Sequence, residues 1–154
     1  MRKQLVLSVL FAASAVCAVP ASAATTLGPW VEQTTSFTFT DGGVLGRSVG
    51  DVISYTAIEL SNGVPVATKS GQCLTTSQAP NGDQIAWCHE TITFNNGSGH
   101  LYAQGNLNET AMERGVAQNL PIIQGDGAYA NKSGTENLLQ VRYPDQFIVN
   151  ITLK

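Results

Sequence analysis

The side chains of this chain with the strongest chemistry of their own are three cysteines, two histidines and eleven carboxylates. Cys73 and Cys88 flank Ala79-Pro80-Asn81-Gly82, which reads as a tight turn between two strand-like runs. A hairpin centred between Pro80 and Asn81 sets the two cysteines directly opposite each other. A two-residue Asn81-Gly82 turn offsets them diagonally. A disulfide is the favoured reading for an even pair in an exported chain. Two buried free thiols are the alternative, and a metal site is not expected, because zinc takes further ligands that this spacing lacks. His89 and Glu90 are adjacent, so on a strand they point to opposite faces and cannot act together on one substrate. His100 alternates with Tyr102 and Gln104, a polar set expected to face solvent or a neighbouring subunit, while Leu101, Ala103 and Leu107 face the other way.

Two familiar catalytic patterns are missing. No G-x-S-x-G element accompanies the Ser, His and Asp residues, so no triad is indicated. Gly125-Asp126-Gly127 invites a phosphate-loop reading, but a dinucleotide fingerprint requires a third glycine where Ala130 stands, followed by a helix. Asn131-Lys132-Ser133-Gly134 is instead another turn, and the glycines are expected to serve a tight connection between strands. No cofactor is expected.

The first 23 residues read as a secretory signal. Arg2 and Lys3 precede an apolar run from Leu5 to Val19, and Pro20 leads into an A-x-A site at Ala21-Ser22-Ala23. The run is too short for a membrane span of about 20 residues. Cys17 follows Val16 rather than a small residue, which argues against lipidation. Cleavage after Ala23 leaves residues 24–154, the size of one domain, in a secreted or periplasmic location. Arg2 and Lys3 are two of the 8 basic residues, so the remaining chain is more acidic than the formal net charge of −3. It carries no electrostatic footprint for nucleic acid or anionic membrane, and no second segment could span a bilayer. N-x-[ST] matches at Asn96, Asn108, Asn131 and Asn150 carry little weight beside a leader of bacterial form, and Asn150 falls within an expected strand.

The elements that must position these residues are strands. Short apolar runs alternate with Gly, Asn, Asp and Ser, and strands are expected near residues 35–40, 52–60, 64–76, 84–94, 100–107, 120–124, 137–142 and 146–153. The last alternates cleanly, with Phe147, Val149, Ile151 and Leu153 on one face. The one helix candidate, residues 109–118, has an interior Gly115 and a weak apolar stripe, so a loop or a few helical turns are expected. Eight such runs suit a closed all-β barrel or a two-sheet sandwich.

Gly99-His100-Leu101, Gln104-Gly105, Leu120-Pro121 through Gly125-Asp126-Gly127-Ala128-Tyr129, Gly134, and Leu139-Gln140-Val141-Arg142-Tyr143-Pro144 form an ordered set of short motifs. From Gly50 to Lys154 the chain resembles the allene oxide cyclase and dirigent superfamily. That resemblance implies an eight-stranded antiparallel barrel, and a homotrimer by analogy with plant members. In allene oxide cyclases the substrate lies in the lumen, where a glutamate near the first strand, an asparagine in F-T-N and a cysteine in G-L-C contribute. Gly71-Gln72-Cys73 resembles the last segment. Ser54-Tyr55-Thr56-Ala57 resembles the asparagine segment, with Ala57 in place of asparagine. The expected first strand, Ser36-Phe37-Thr38-Phe39-Thr40, holds no carboxylate.

Register decides what faces the lumen, because a slip by one residue flips every side chain. An ungapped match puts Trp87 on the face of Cys73. A hairpin one residue shorter puts Ala86, Cys88, Glu90, Ile92 and Phe94 there and lets the cysteines bond without a bulge, and it is preferred. Ile53, Tyr55, Ala57, Glu90 and Leu107 are then the candidate ligand-binding residues, with Glu90 a lone carboxylate either in the lumen or at its solvated rim. A carboxyl group in an apolar lumen is held toward its neutral form and can serve as an acid or base. The expected function is an exported barrel that binds a small hydrophobic molecule without allene oxide cyclase chemistry. The alternatives are an isomerase, cyclase or dirigent-like guide acting in the lumen, and a structural or interaction protein with a filled lumen.

Overall fold

A computed structural model describes residues 23–154, so the expected signal segment lies almost wholly outside the described residues. The chain forms eight strands, β1 (Thr25–Thr40), β2 (Val52–Ser61), β3 (Val64–Gln78), β4 (Gln84–Phe94), β5 (His100–Asn108), β6 (Gln118–Gly125), β7 (Gly134–Arg142) and β8 (Gln146–Leu153). Each pairs antiparallel with the next, and β8 returns to β1 to close the barrel. Among the described residues no helix is long and apolar enough to cross a membrane.

β1 departs most from expectation. It begins ten residues earlier than the alternation from Thr35 suggests, because Gly28-Pro29 and bulges at Leu27/Trp30 and Thr34/Ser36 interrupt its period. Its first half pairs with β8, from Thr25↔Leu153 to Gln33↔Gln146, and its second half with β2 as far as Thr40↔Val52. A closing strand of this kind is stabilised by partners distant in sequence, which local pattern does not report.

β4 buries Gln84, Ala86, Cys88, Glu90, Ile92 and Phe94 and turns Trp87 and His89 outward. Cys73 and Cys88 are directly paired and joined by a disulfide, with Cα atoms 4.0 Å apart. The expectation of a bulge-free hairpin is corrected. Gln78 pairs with Gln84, which centres the turn on Asn81, and a bulge between Thr75 and Ser77 restores the opposition of the two cysteines.

The two ends of the barrel differ. At one end the lumen is filled by side chains: Trp30 meets Phe94 edge-on with centroids 6.0 Å apart, and Phe94 stacks on Tyr129 at 4.4 Å. The Gly125–Tyr129 stretch forms a tight connection after β6, and of its two glycines Gly127 takes the expected positive φ while Gly125 does not. Gly127 adopts φ +57°, and Asp126 accepts from the His100 backbone N–H at 2.7 Å, lies 2.9 Å from the His100 ring nitrogen and accepts from the Tyr102 hydroxyl at 2.9 Å, all on the outer face. The other end carries the β1–β2 loop, the β7–β8 turn and a five-residue helix, α1 (Glu109–Glu113), shorter than the 109–118 candidate. The Asn108 side chain caps α1 by accepting from the Ala111 N–H at 2.8 Å, and Gly115 lies beyond its end at φ +77°. Arg114 then clamps Asp83 through two bonds of 2.8 and 2.9 Å, tying α1 to the β3–β4 turn.

Candidate functional site

Midway along the lumen, five charged side chains replace the apolar filling. Lys69 points inward from β3 between Ala57 on β2 and Ile92 on β4, and its ammonium has no exposure to solvent. It donates to Glu32 of β1 and, at 2.6 Å, to Glu136 of β7. Glu59 of β2 lies 3.2 Å away and Glu90 of β4 3.7 Å away. All four glutamates are buried.

Four carboxyl groups around one ammonium cannot all ionise at low cost in a region of low dielectric. Burial pushes Glu32 up from an ordinary 4.5 to about 8; the Lys69 charge opposes the rise, and Glu59 and Glu90 add to it. Burial also raises Glu136 well above the usual carboxyl range, against the pull of Lys69 and with a further push from Glu90. Burial alone would lower the Lys69 ammonium, but the summed carboxylates hold it well above its ordinary value. The carboxylate oxygens of Glu32, Glu59 and Glu136 lie within 4.8 Å of one another, a spacing open to a metal ion. The Lys69 ammonium already fills that position at 2.6 Å from Glu136, so this is an ion cluster rather than a metal centre.

A second row of residues covers the cluster. Tyr55, Gly71 and Glu90 are cross-strand neighbours on β2, β3 and β4. The Tyr55 ring lies across Gly71, where a Cβ would come within 2.6 Å of the phenol, and its hydroxyl donates to Glu90 Oε1. The glycine is needed here for the close approach of a ring, with no demand on φ. Burial, then the Glu90 charge, raises the phenol well above its ordinary value, so Tyr55 remains a donor.

Above this floor the lumen is open, with a cavity of about 70 Å³. Its polar lining includes Glu32, Tyr55, Glu90 and Gln140, and Ile53, Cys73, Leu107, Leu138 and Phe147 are among its apolar lining residues. At the mouth, Arg47 of the β1–β2 loop reaches Glu113 of α1 at 2.6 Å. The loop is shaped by Asp51, which accepts from the backbone of Ser48 at 2.6 Å and of Gly42 at 3.1 Å. Phe37, Phe39 and Tyr143 form an exposed aromatic rim beside Arg47.

Of the residues singled out from sequence, Ile53, Tyr55, Glu90 and Leu107 line this cavity. Ala57 is buried beside Lys69, off the cavity wall; its small side chain leaves room for the cluster. Two expectations are corrected. Glu90 is neither lone nor at the rim, being one of four glutamates around Lys69. The first strand is not free of carboxylates, because β1 extends back through Glu32. Glu32, Glu59, Lys69 and Glu136 were missed, although each sits in phase with inward apolar neighbours: Trp30, Ala57, Ala67 and Leu138. A charge in phase with a buried face on several strands at once was the available signal.

Residues 31–153 match the family model described as allene oxide cyclase barrel like domain. No curated protein matches the sequence significantly. Among solved structures the fold is similar to a pyocyanin demethylase, at TM-score 0.72 and 23% identity over 86% of this chain and 100% of that one. It is also similar to a Diels Alderase from Streptomyces koyangensis, at TM-score 0.74 and 18% identity over 85% of this chain and 63% of that one, so the chain spans less than two thirds of that enzyme. A pterocarpan synthase dirigent protein is similar at TM-score 0.63 and 14% identity over 86% of this chain and 94% of that one.

Proposed function

Because the chain belongs to the allene oxide cyclase barrel-like family, we propose that it binds a small, largely apolar molecule in the upper lumen. The observation that carries this reading is the cavity itself, walled by Ile53, Leu107, Leu138 and Phe147 and floored by Tyr55 and Glu90. Burial of apolar surface supplies the attraction, roughly 25 cal/mol per Å² before the costs of association. The floor orients a polar end. The aromatic rim of Phe37, Phe39 and Tyr143 gives an apolar molecule a surface to meet first. Allene oxide cyclase chemistry is not part of the proposal, since Ala57 stands for asparagine and Cys73 is held in a disulfide. The disulfide is compatible with export to an oxidising compartment. Incubation with a lipid and phenolic extract, followed by native mass spectrometry, tests the reading. A retained small molecule supports it; no retained mass, together with a lumen filled by side chains in a crystal, overturns it.

A specific observation favours a second reading, an isomerase or cyclase. Glu32, pushed up to about 8, keeps a proton near neutral pH, and it faces the same apolar space as the Tyr55–Glu90 pair. Glu32 can then give a proton to a bound molecule and recover one from another position on it, leaving the charge of the site unchanged. The structural likeness to cyclisation and demethylation enzymes is one of fold. Stereoselective turnover of an epoxide or polyene, abolished in Glu32→Gln, would establish this reading over simple binding.

A further inference from the structure

We infer that the lumen selects a ligand whose polar end is a cationic N–H donor, such as a protonated amine, and rejects carboxylates. The inference rests on the proposal that the cavity is a ligand site and concerns which chemistry it takes. Carboxyl groups outnumber cations among the residues that line the cavity, with Glu32, Glu90, Glu109 and Glu113 against Arg47. Glu32 and Glu90 present carboxyl groups, and the Tyr55 hydroxyl is committed as a donor to Glu90. The nearest cation, Lys69, is sealed beneath the floor with no side-chain exposure and is already engaged by Glu32 and Glu136. Arg47 lies at the mouth, paired with Glu113.

A second, independent observation points the same way. Gln140 Oε1 is a buried acceptor with no hydrogen-bond partner among the described residues, and Gln140 lines the cavity; Glu90 Oε2, which also lacks a hydrogen bond, faces Lys69 at 3.7 Å instead. Glu90 is 4% exposed and Gln140 7%. Buried acceptors without donors are rare in folded proteins and are satisfied when a donor arrives. An ammonium head brings up to three N–H donors and offsets the excess of carboxyl groups over cations in the cluster. A carboxylate head adds one more carboxyl group to that excess in a region of low dielectric.

Three probes of nearly one shape separate the possibilities: 1-naphthylmethylamine, 1-naphthalenemethanol and 1-naphthoic acid, each titrated by calorimetry at pH 7 against the full mature protein. The expected order is amine, then alcohol, then acid, with the amine bound at least tenfold more tightly than the alcohol. Gln140→Leu, which keeps the side-chain volume, should reduce the preference for amine over alcohol several-fold. Glu90→Gln should reduce it further. Equal binding of amine and alcohol, or tightest binding of the acid, overturns the inference and leaves the apolar binding site standing. Failure of all three probes to bind overturns the inference together with the cavity reading. An equal loss for all three probes in Gln140→Leu removes Gln140 as the acceptor of the head group.

Discussion

Lys69 Nζ lies 2.6 Å from Glu136 Oε1, and neither side chain has any exposure to solvent. This pair joins β3 to β7, across the lumen rather than along the sheet. A buried charge is costly alone and tolerable when paired, so the pair matters most when half of it is removed. Lys69→Met is expected to lower unfolding stability by about 3–5 kcal/mol, because four glutamates lose their shared cation. Urea denaturation at pH 7 checks this. A loss under about 1 kcal/mol would mean that the carboxyl groups are all neutral without Lys69 and that the cluster is not held by charge.

The cluster also sets a pH dependence. Glu32 rises from an ordinary 4.5 to about 8 on folding, and Glu136 rises as well. Between those values the folded chain binds more protons than the unfolded chain, so stability falls as pH rises from about 4.5 through 8. Lys69 is raised, so its contribution is intact below its unfolded pKa of 10.5 and is lost only at still higher pH. The melting temperature is therefore expected to be higher at pH 5.5 than at pH 8.5. Glu32→Gln should flatten the profile. A melting temperature that climbs steadily over this range would contradict the assignment.

Gly71 admits the Tyr55 ring, and a Cβ there would meet the phenol at 2.6 Å. Gly71→Ala is expected to destabilise by about 1–3 kcal/mol through overpacking and to break the hydrogen bond from Tyr55 to Glu90. Tyr55→Phe should cost a similar amount by leaving Glu90 short of a donor. If the losses in the double variant simply add, the two residues are not coupled and the close approach is unimportant.

The Cys73–Cys88 disulfide closes a loop with a sequence separation of 15, for which chain entropy gives about 3 kcal/mol at most once strain is subtracted. Cys88→Ser should lower the melting temperature of the oxidised protein by several degrees. Cys73 lines the cavity, so the same variant should also change the affinity for an apolar probe. Two titratable thiols in the unfolded, unreduced protein would contradict the pairing.

Residues 24–154 are expected as the exported form. Intact-mass measurement on protein secreted by its host should give the chain starting at Ala24. A mass that includes Met1, or that begins beyond Trp30, would refute cleavage at the A-x-A site.

The sequence by itself determined seven of the eight strands to within a few residues, the inward face of β4 and the partnership of Cys73 with Cys88. These depend on a period of two and on a hairpin whose ends are close along the chain. It did not reveal the start of β1, where bulges break the period and the pairing partner is β8 at the far end of the chain. Nor did it reveal the floor of the site. Alternation says whether a side chain faces inward, but not at what height along the barrel axis it stands. Height depends on strand tilt, stagger and bulges, and these are settled only when the barrel closes. Closure alone brings Glu32, 37 residues away, and Glu136, 67 residues away, onto one ammonium at Lys69. Tertiary structure thus turned isolated charges on separate strands into one buried cluster, because only a closed sheet sets β1, β2, β3, β4 and β7 around a common lumen.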